Sequence, residues 1–152
     1  MGLFAVFFVL AVQAQNVEEI KRSAEQGNAA AQNTLGKMYE TGEGVVDVNY
    51  AEAAKWYLKA AEQGNVEAQN KLGFMYQWSH GVDLNYAEAA KWYAKAAEQG
   101  DAAAQYNLAM MYTRGQGVSK NEDEAIKLFR MAAEQGNYTA KSALKMFESK
   151  GK

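Results

Sequence analysis

One histidine, His80, stands in the chain, three residues before Asp83 in the segment Trp78-Ser79-His80-Gly81-Val82-Asp83. An imidazole near a carboxylate is the least that general acid–base chemistry requires. More is needed for a recognisable site. A single histidine cannot supply two imidazole ligands to a metal, and the chain has no cysteine to complete a ligand set. No G-x-S-x-G, H-E-x-x-H or P-loop pattern occurs. His80 and Asp83 therefore read as a solvated polar loop. No catalytic residue, metal ligand or cofactor is assigned.

Aromatic side chains recur instead. Tyr39, Tyr76 and Tyr112 form one series and Trp56 and Trp92 another. Their spacing follows the apolar stripe described below, so they read as core. Trp78 differs, because the corresponding slots hold Thr41 and Arg114. The fold does not demand an aromatic there. Two readings stay open: an exposed recognition anchor, or a cover for Val82 and its neighbours.

What positions these residues is a repeated phrase. Ser23–Asn28, Ala60–Asn65, Ala96–Asp101 and Ala132–Asn137 read SAEQGN, AAEQGN, AAEQGD and AAEQGN, at intervals of 37, 36 and 36 residues. A fixed period in that range marks a repeat architecture. Glycine suits the left-handed position just past a helix end, and Asn or Asp suits the N-cap of the next helix. Each phrase thus closes one helix and opens another.

The helix after each phrase, helix A, carries Ala31, Leu35, Met38 and Tyr39 on one face, then Ala68, Leu72, Met75 and Tyr76, then Ala104, Leu108, Met111 and Tyr112. Gly36, Gly73 and Ala109 follow the leucines, which predicts a crossing helix too close for a large side chain. Loops follow in which Gly44, Gly81 and Gly117 precede Val45, Val82 and Val118, each expected to be buried. Helix B then begins at the candidate caps Asn49, Asn85 and Asn121. Ala53, Tyr57 and Ala60 form its core face in the first copy and Ala89, Tyr93 and Ala96 in the second; Leu128 and Phe129 replace the Trp-Tyr pair in the third. The expected organisation is a leading half-repeat at 16–27, repeats at 28–64, 65–100 and 101–136, and a trailing capping helix at 137–152. Val17 and Ile20 hold core positions in the leading helix. Lys141 and Lys145 at the trailing end replace the recurring glutamine and the small residue, as a cap should.

Positions that vary while the core repeats are the candidates for recognition. Opposite the leucine face stand Asn33, Lys37 and Glu40, then Asn70, Phe74 and Gln77, then Tyr106, Met110 and Thr113. Phe74, Tyr106 and Met110 would make an apolar strip rimmed by amides, either a binding surface or a seam buried between repeats. The candidate partner-binding residues are Asn33, Lys37, Asn70, Phe74, Tyr106, Met110 and Trp78.

Taken in register, A-x-x-x-L-G-x-M-Y-x-x-G-x-G-V, A-x-x-W-Y and A-A-E-Q-G over Ala31–Gly64 resemble the Sel-one-like repeat, a relative of the tetratricopeptide repeat. The resemblance covers about nine tenths of the chain, from Asn16 onward. Ser79 departs from it where the family prefers glycine, and so does the lack of the cysteine pair that staples each repeat in some secreted members. The resemblance implies an all-α, right-handed α/α solenoid whose helices A line the concave side. It implies a module that binds a peptide or protein partner there, as an adaptor or a secreted or periplasmic factor, and no reaction. A hydrolase of cell-wall or antibiotic metabolism, or an immunity protein against one toxin, is the alternative among relatives. A monomer is expected.

The totals agree with that reading. Hydrophobic residues make up 49% and charged residues 22%, a globular composition. A net charge of −2 excludes the basic surface of a nucleic-acid binder. Proline is absent, which favours helix. Met1–Gln15 carries no charged side chain, and Leu3–Val12 is ten apolar residues, too short to span a bilayer. With Val12-Gln13-Ala14 as a small-x-small cleavage site, residues 1–14 read as a signal peptide, which implies a secreted or periplasmic protein. The other reading is a hydrophobic helix docked on the repeats.

Overall fold

A computed structural model describes residues 15–44 and 47–150 of the chain. The segment at 1–14, with its two readings, and Val45 lie outside the described residues. Among those residues every element is an α-helix: α1 (residues 15–25), α2 (Ala29–Thr41), α3 (Tyr50–Glu62), α4 (Val66–Trp78), α5 (Tyr86–Glu98), α6 (Ala102–Arg114), α7 (Glu122–Glu134) and α8 (Tyr138–Lys150). Each helix from α2 onward packs against the next in sequence. The expected leading B helix, three A–B pairs and trailing A helix, stacked as a solenoid, are the observed architecture.

The hinge phrases fold as the residue types require. At the second, the amide of Gly64 donates to the carbonyl of Ala61 at 3.0 Å, and that of Asn65 to Ala60 at 3.0 Å. This is a Schellman closure, with Gly64 at φ 88°. Asn65 is also the N-cap of α4, its side chain accepting from the amide of Ala68 at 2.9 Å. One residue thus ends one helix and starts another, and the four hinge glycines share this geometry, with φ 95°, 88°, 91° and 91° at Gly27, Gly64, Gly100 and Gly136.

The core is built on alanine, and the helices approach closely. Ala53, Ala60, Ala68, Ala89, Ala96 and Ala104 are fully buried. An added Cβ on Gly73 would stand 2.7 Å from the Tyr93 ring, and one on Gly36 2.8 Å from the Tyr57 ring. The small residue after each helix A leucine is therefore the seat of the crossing aromatic. Two apolar clusters result, one around Tyr57, Leu72, Met75 and Trp92 and the other around Tyr93, Leu108, Met111 and Phe129; Tyr76 packs against both.

The first repeat is less enclosed. Ala31 and Met38 are half-buried where Ala68, Met75, Ala104 and Met111 are buried, as terminal units of a stacked array are. Trp56 corrects an expectation. It is half-buried rather than core, with the Lys59 ammonium 4.0 Å over its ring. Trp92 is buried because it reaches back onto the cluster of the preceding repeat, whereas Trp56 has only a half-repeat behind it. Val82 and Val118 are half-buried, not buried as expected. They lie in loops, where one side of each side chain stays open.

Candidate functional site

The variable face of helix A divides into three regions. At the N-terminal end it is charged and self-paired. Lys37 of α2 meets Glu67 of α4 at 2.7 Å, and Lys71 of α4 meets Glu40 of α2 at 2.9 Å. Asn33 donates from Nδ2 to Glu67 at 2.9 Å and is buried. The bond from Lys37, more than that from Asn33, holds the Glu67 carboxyl below the usual carboxylate range despite partial burial. Behind these, the Tyr57 hydroxyl donates to Glu40 at 2.6 Å. Burial first, and this carboxylate second, push the Tyr57 phenol well above its ordinary value. Asn33 and Lys37, both candidates for a partner, are thus engaged between repeats. A cavity of about 600 Å³ opens beside them over Val17, Met38, Glu40 and Lys71.

At the C-terminal end the face is apolar. The Tyr106 ring lies 5.7 Å from that of Phe129 and is half-buried. Met110 is half-buried against the same core. With Thr113, Phe129, Ala143, Met146 and Phe147 it lines a cavity of about 180 Å³ between α6, α7 and α8.

The centre holds the exposed aromatics. Phe74 and Trp78 are one turn apart on α4, with ring centroids 6.3 Å apart, and are 39% and 56% exposed. Asn70, one turn before Phe74, is half-buried and accepts from Nδ2 of Asn107 at 3.5 Å. Ser79 ends α4 at φ 56°, a left-handed turn that non-glycine residues adopt at a cost. Its Oγ donates to the carbonyl of Val82 at 3.1 Å. The turn sends His80 back towards α4, where its ring meets that of Phe74 edge-on at 5.4 Å. Gly81 then lies directly on the start of α3, since an added Cβ would stand 2.3 Å from the Tyr50 carbonyl. The His80 ring consequently comes to 5.3 Å from the Tyr50 ring. So the structure joins Phe74 and Trp78 of the predicted set to His80 and Tyr50, which the sequence did not suggest. Tyr106 and Met110 instead pack towards α7 and α8.

Sequence reasoning also missed the work of the recurring glutamines. Gln32, Gln69 and Gln105 are buried. Each donates from Nε2 to the closing carbonyl of the previous helix B: Ala24 at 3.0 Å, Ala61 at 3.1 Å and Ala97 at 3.2 Å. Each accepts from the glutamine of the next hinge phrase: Gln63 at 2.7 Å, Gln99 at 2.8 Å and Gln135 at 2.9 Å. The signal was the Q in each phrase, paired with the Q at the fifth residue beyond the glycine of the preceding hinge. Glu62, Glu98 and Glu134, adjacent to it, are exposed. Among the described residues no group of His, Asp and Glu could hold a metal ion, and no helix is long and apolar enough to cross a membrane.

Comparison with known proteins agrees with the geometry. The Sel1 repeat pattern matches residues 29–65, 66–101 and 102–137. The structure is similar to that of c5321, a protective antigen present in uropathogenic Escherichia coli strains and displaying an SLR fold, with TM-score 0.88 and 40% identity. That match covers 91% of this chain but 30% of the antigen, so the chain spans under a third of its length. A Sel1 repeat protein from Oxalobacter formigenes matches with TM-score 0.78 and 37% identity, over 86% of this chain and 98% of that one. Cysteine-rich protein B of Helicobacter pylori shares the fold, with TM-score 0.65 and 24% identity over 84% and 96% of the two chains. No curated protein matches the sequence. Three repeats in register, on a stack of paired helices, make this chain a member of the Sel1 repeat family.

Proposed function

We propose that the protein is an exported interaction module that holds a peptide or partner protein along the helix A face. Export rests on the signal-like character of residues 1–14. The single observation that carries the binding reading is the exposed pair Phe74 and Trp78, held 6.3 Å apart on α4. The equivalent positions hold Lys37 and Met110 for the first, and Thr41 and Arg114 for the second, so the fold requires neither aromatic. Large apolar side chains kept in solvent at non-structural positions mark interaction sites. Asn70 offers an amide beside them, Tyr106 and Met110 extend the face, and Lys37 with Asn33 bounds it at the charged end. The ionisable groups of that end are paired with one another, which favours binding over catalysis.

The test is capture of a partner with residues 15–152 as bait, followed by cross-link mapping. Cross-links concentrated on α4 and α6 are expected. A partner that cross-links only to helices α3, α5 and α7 would place binding on the other side of the array.

A further inference from the structure

We propose that the ring cluster Tyr50–His80–Phe74–Trp78 is a docking site for a cationic side chain, an arginine or lysine of a basic peptide segment. This deepens the interaction reading above and rests on it. Four rings follow one another at 5.3, 5.4 and 6.3 Å between centroids. Tyr50, Phe74 and Trp78 are large, exposed and contributed by two helices. Aromatic faces attract cations through their quadrupoles, and arginine most often fills such sites.

The charges nearby select a cation over other occupants. Residues 38–54 and 72–90, which supply all four rings and both flanking loops, hold six carboxylates and no Lys or Arg. Three of these are engaged: Glu40 with Lys71, Glu52 with Lys55 and Glu88 with Lys91. Glu43, Asp47 and Asp83 make no ion pair among the described residues. Asp83 shares the loop of His80, and Asp47 stands three residues before Tyr50. Gly81 seats that loop on the start of α3, so both exposed aspartates belong to the two loop segments that carry the rings. An acidic peptide would meet repulsion there. A purely apolar one would leave the carboxylates without a role.

The experiment is an NMR titration of the full chain with a short Gly/Ala peptide carrying arginines at alternate positions. The control is the same peptide with glutamines in their place. The arginine peptide is expected to shift the ring resonances of Tyr50, Phe74, Trp78 and His80, and the glutamine peptide to leave them unmoved. Trp78→Ala should raise the Kd of the arginine peptide about two- to fivefold, the value of one exposed cation–π contact. Asp83→Asn should weaken it as well. Both positions are exposed, so these variants keep the fold, as their melting curves will verify. Equal shifts with the glutamine peptide, or an unchanged Kd in Trp78→Ala, would overturn the proposal, as would no shift at all. None of these outcomes touches the interaction reading, which stands or falls on where the captured partner cross-links.

Discussion

The side-chain amide of Gln99 donates from Nε2 to Oε1 of Gln69 at 2.8 Å, and Nε2 of Gln69 donates in turn to the carbonyl of Ala61 at 3.1 Å. Three consecutive helices, α3, α4 and α5, are tied by one buried amide. The same clamp occurs at Gln32 and Gln105. Gln69→Leu removes both side-chain bonds, while the Ala61 carbonyl keeps the bond from the Gly64 amide. We expect a loss of about 1–3 kcal/mol, from two hydrogen bonds at about 0.5–1.5 kcal/mol each, read from urea denaturation. Gln99→Ala, at an exposed position, should cost less than Gln69→Leu.

Gly73→Ala tests the close crossing of α4 and α5. Alanine favours a helix over glycine by about 1 kcal/mol. Its Cβ, however, would lie 2.7 Å from the buried Tyr93 ring. Overpacking of that kind costs about 1–3 kcal/mol, so net destabilisation is expected. Ala109 is tolerated in the third repeat, opposite Phe129 rather than a tyrosine. A variant that melts at or above the wild-type temperature would show that the ring can move aside.

Ser79→Gly should stabilise the protein. Ser79 holds φ 56°, where glycine stands at Gly42 and Gly115 in the sister repeats. The left-handed region costs a non-glycine residue about 1–2 kcal/mol. Loss of the exposed bond from Ser79 to Val82 and the entropy of glycine in the unfolded chain offset part of this. A gain of roughly 0.5–1 kcal/mol is expected, visible as a higher melting temperature.

Alkali should unfold the array through its buried phenols. Tyr57 and Tyr93 are held above the ordinary tyrosine value, chiefly by burial. An unfolded tyrosine ionises near about pH 10. The folded protein therefore keeps a proton that the unfolded chain releases. The associated stability is complete below about pH 10 and falls as pH rises above it. Tyr93→Phe, which copies Phe129, should flatten that decline. It should also lower stability at neutral pH, because Gln77 loses the hydroxyl that donates to it at 2.9 Å.

Much of this fold could be read from residue types. The hinge needs a residue of positive φ followed by a cap, so Gly64-Asn65 announced both the end of α3 and the start of α4. Gly73 announced a closely crossing helix, and the structure places the Tyr93 ring there. The core stripes of Ala68, Leu72 and Met75 followed from helical period alone. The candidate site was less legible. Burial of Asn33 depends on Glu67, which belongs to the next repeat, and no local pattern reveals a pairing that the superhelix creates. Trp56 and Trp92 have nearly identical neighbours in sequence, yet only Trp92 has a complete repeat behind it. His80 reads as a polar loop residue until the turn at Ser79 and the seat of Gly81 bring its ring to Phe74 and Tyr50.

We expect Phe74 to serve recognition and not folding. The most direct test measures two quantities on Phe74→Ala: its melting temperature, and its affinity for the partner captured with residues 15–152. Tyr76→Ala is the reference, because Tyr76 packs against both core clusters, and truncating a packed aromatic costs about 3–5 kcal/mol. Phe74→Ala is expected to melt close to wild type and to bind more weakly by roughly 1–3 kcal/mol, the range of a moderate interface anchor. A melting temperature lowered as far as that of Tyr76→Ala, or normal melting with undiminished binding, would contradict it.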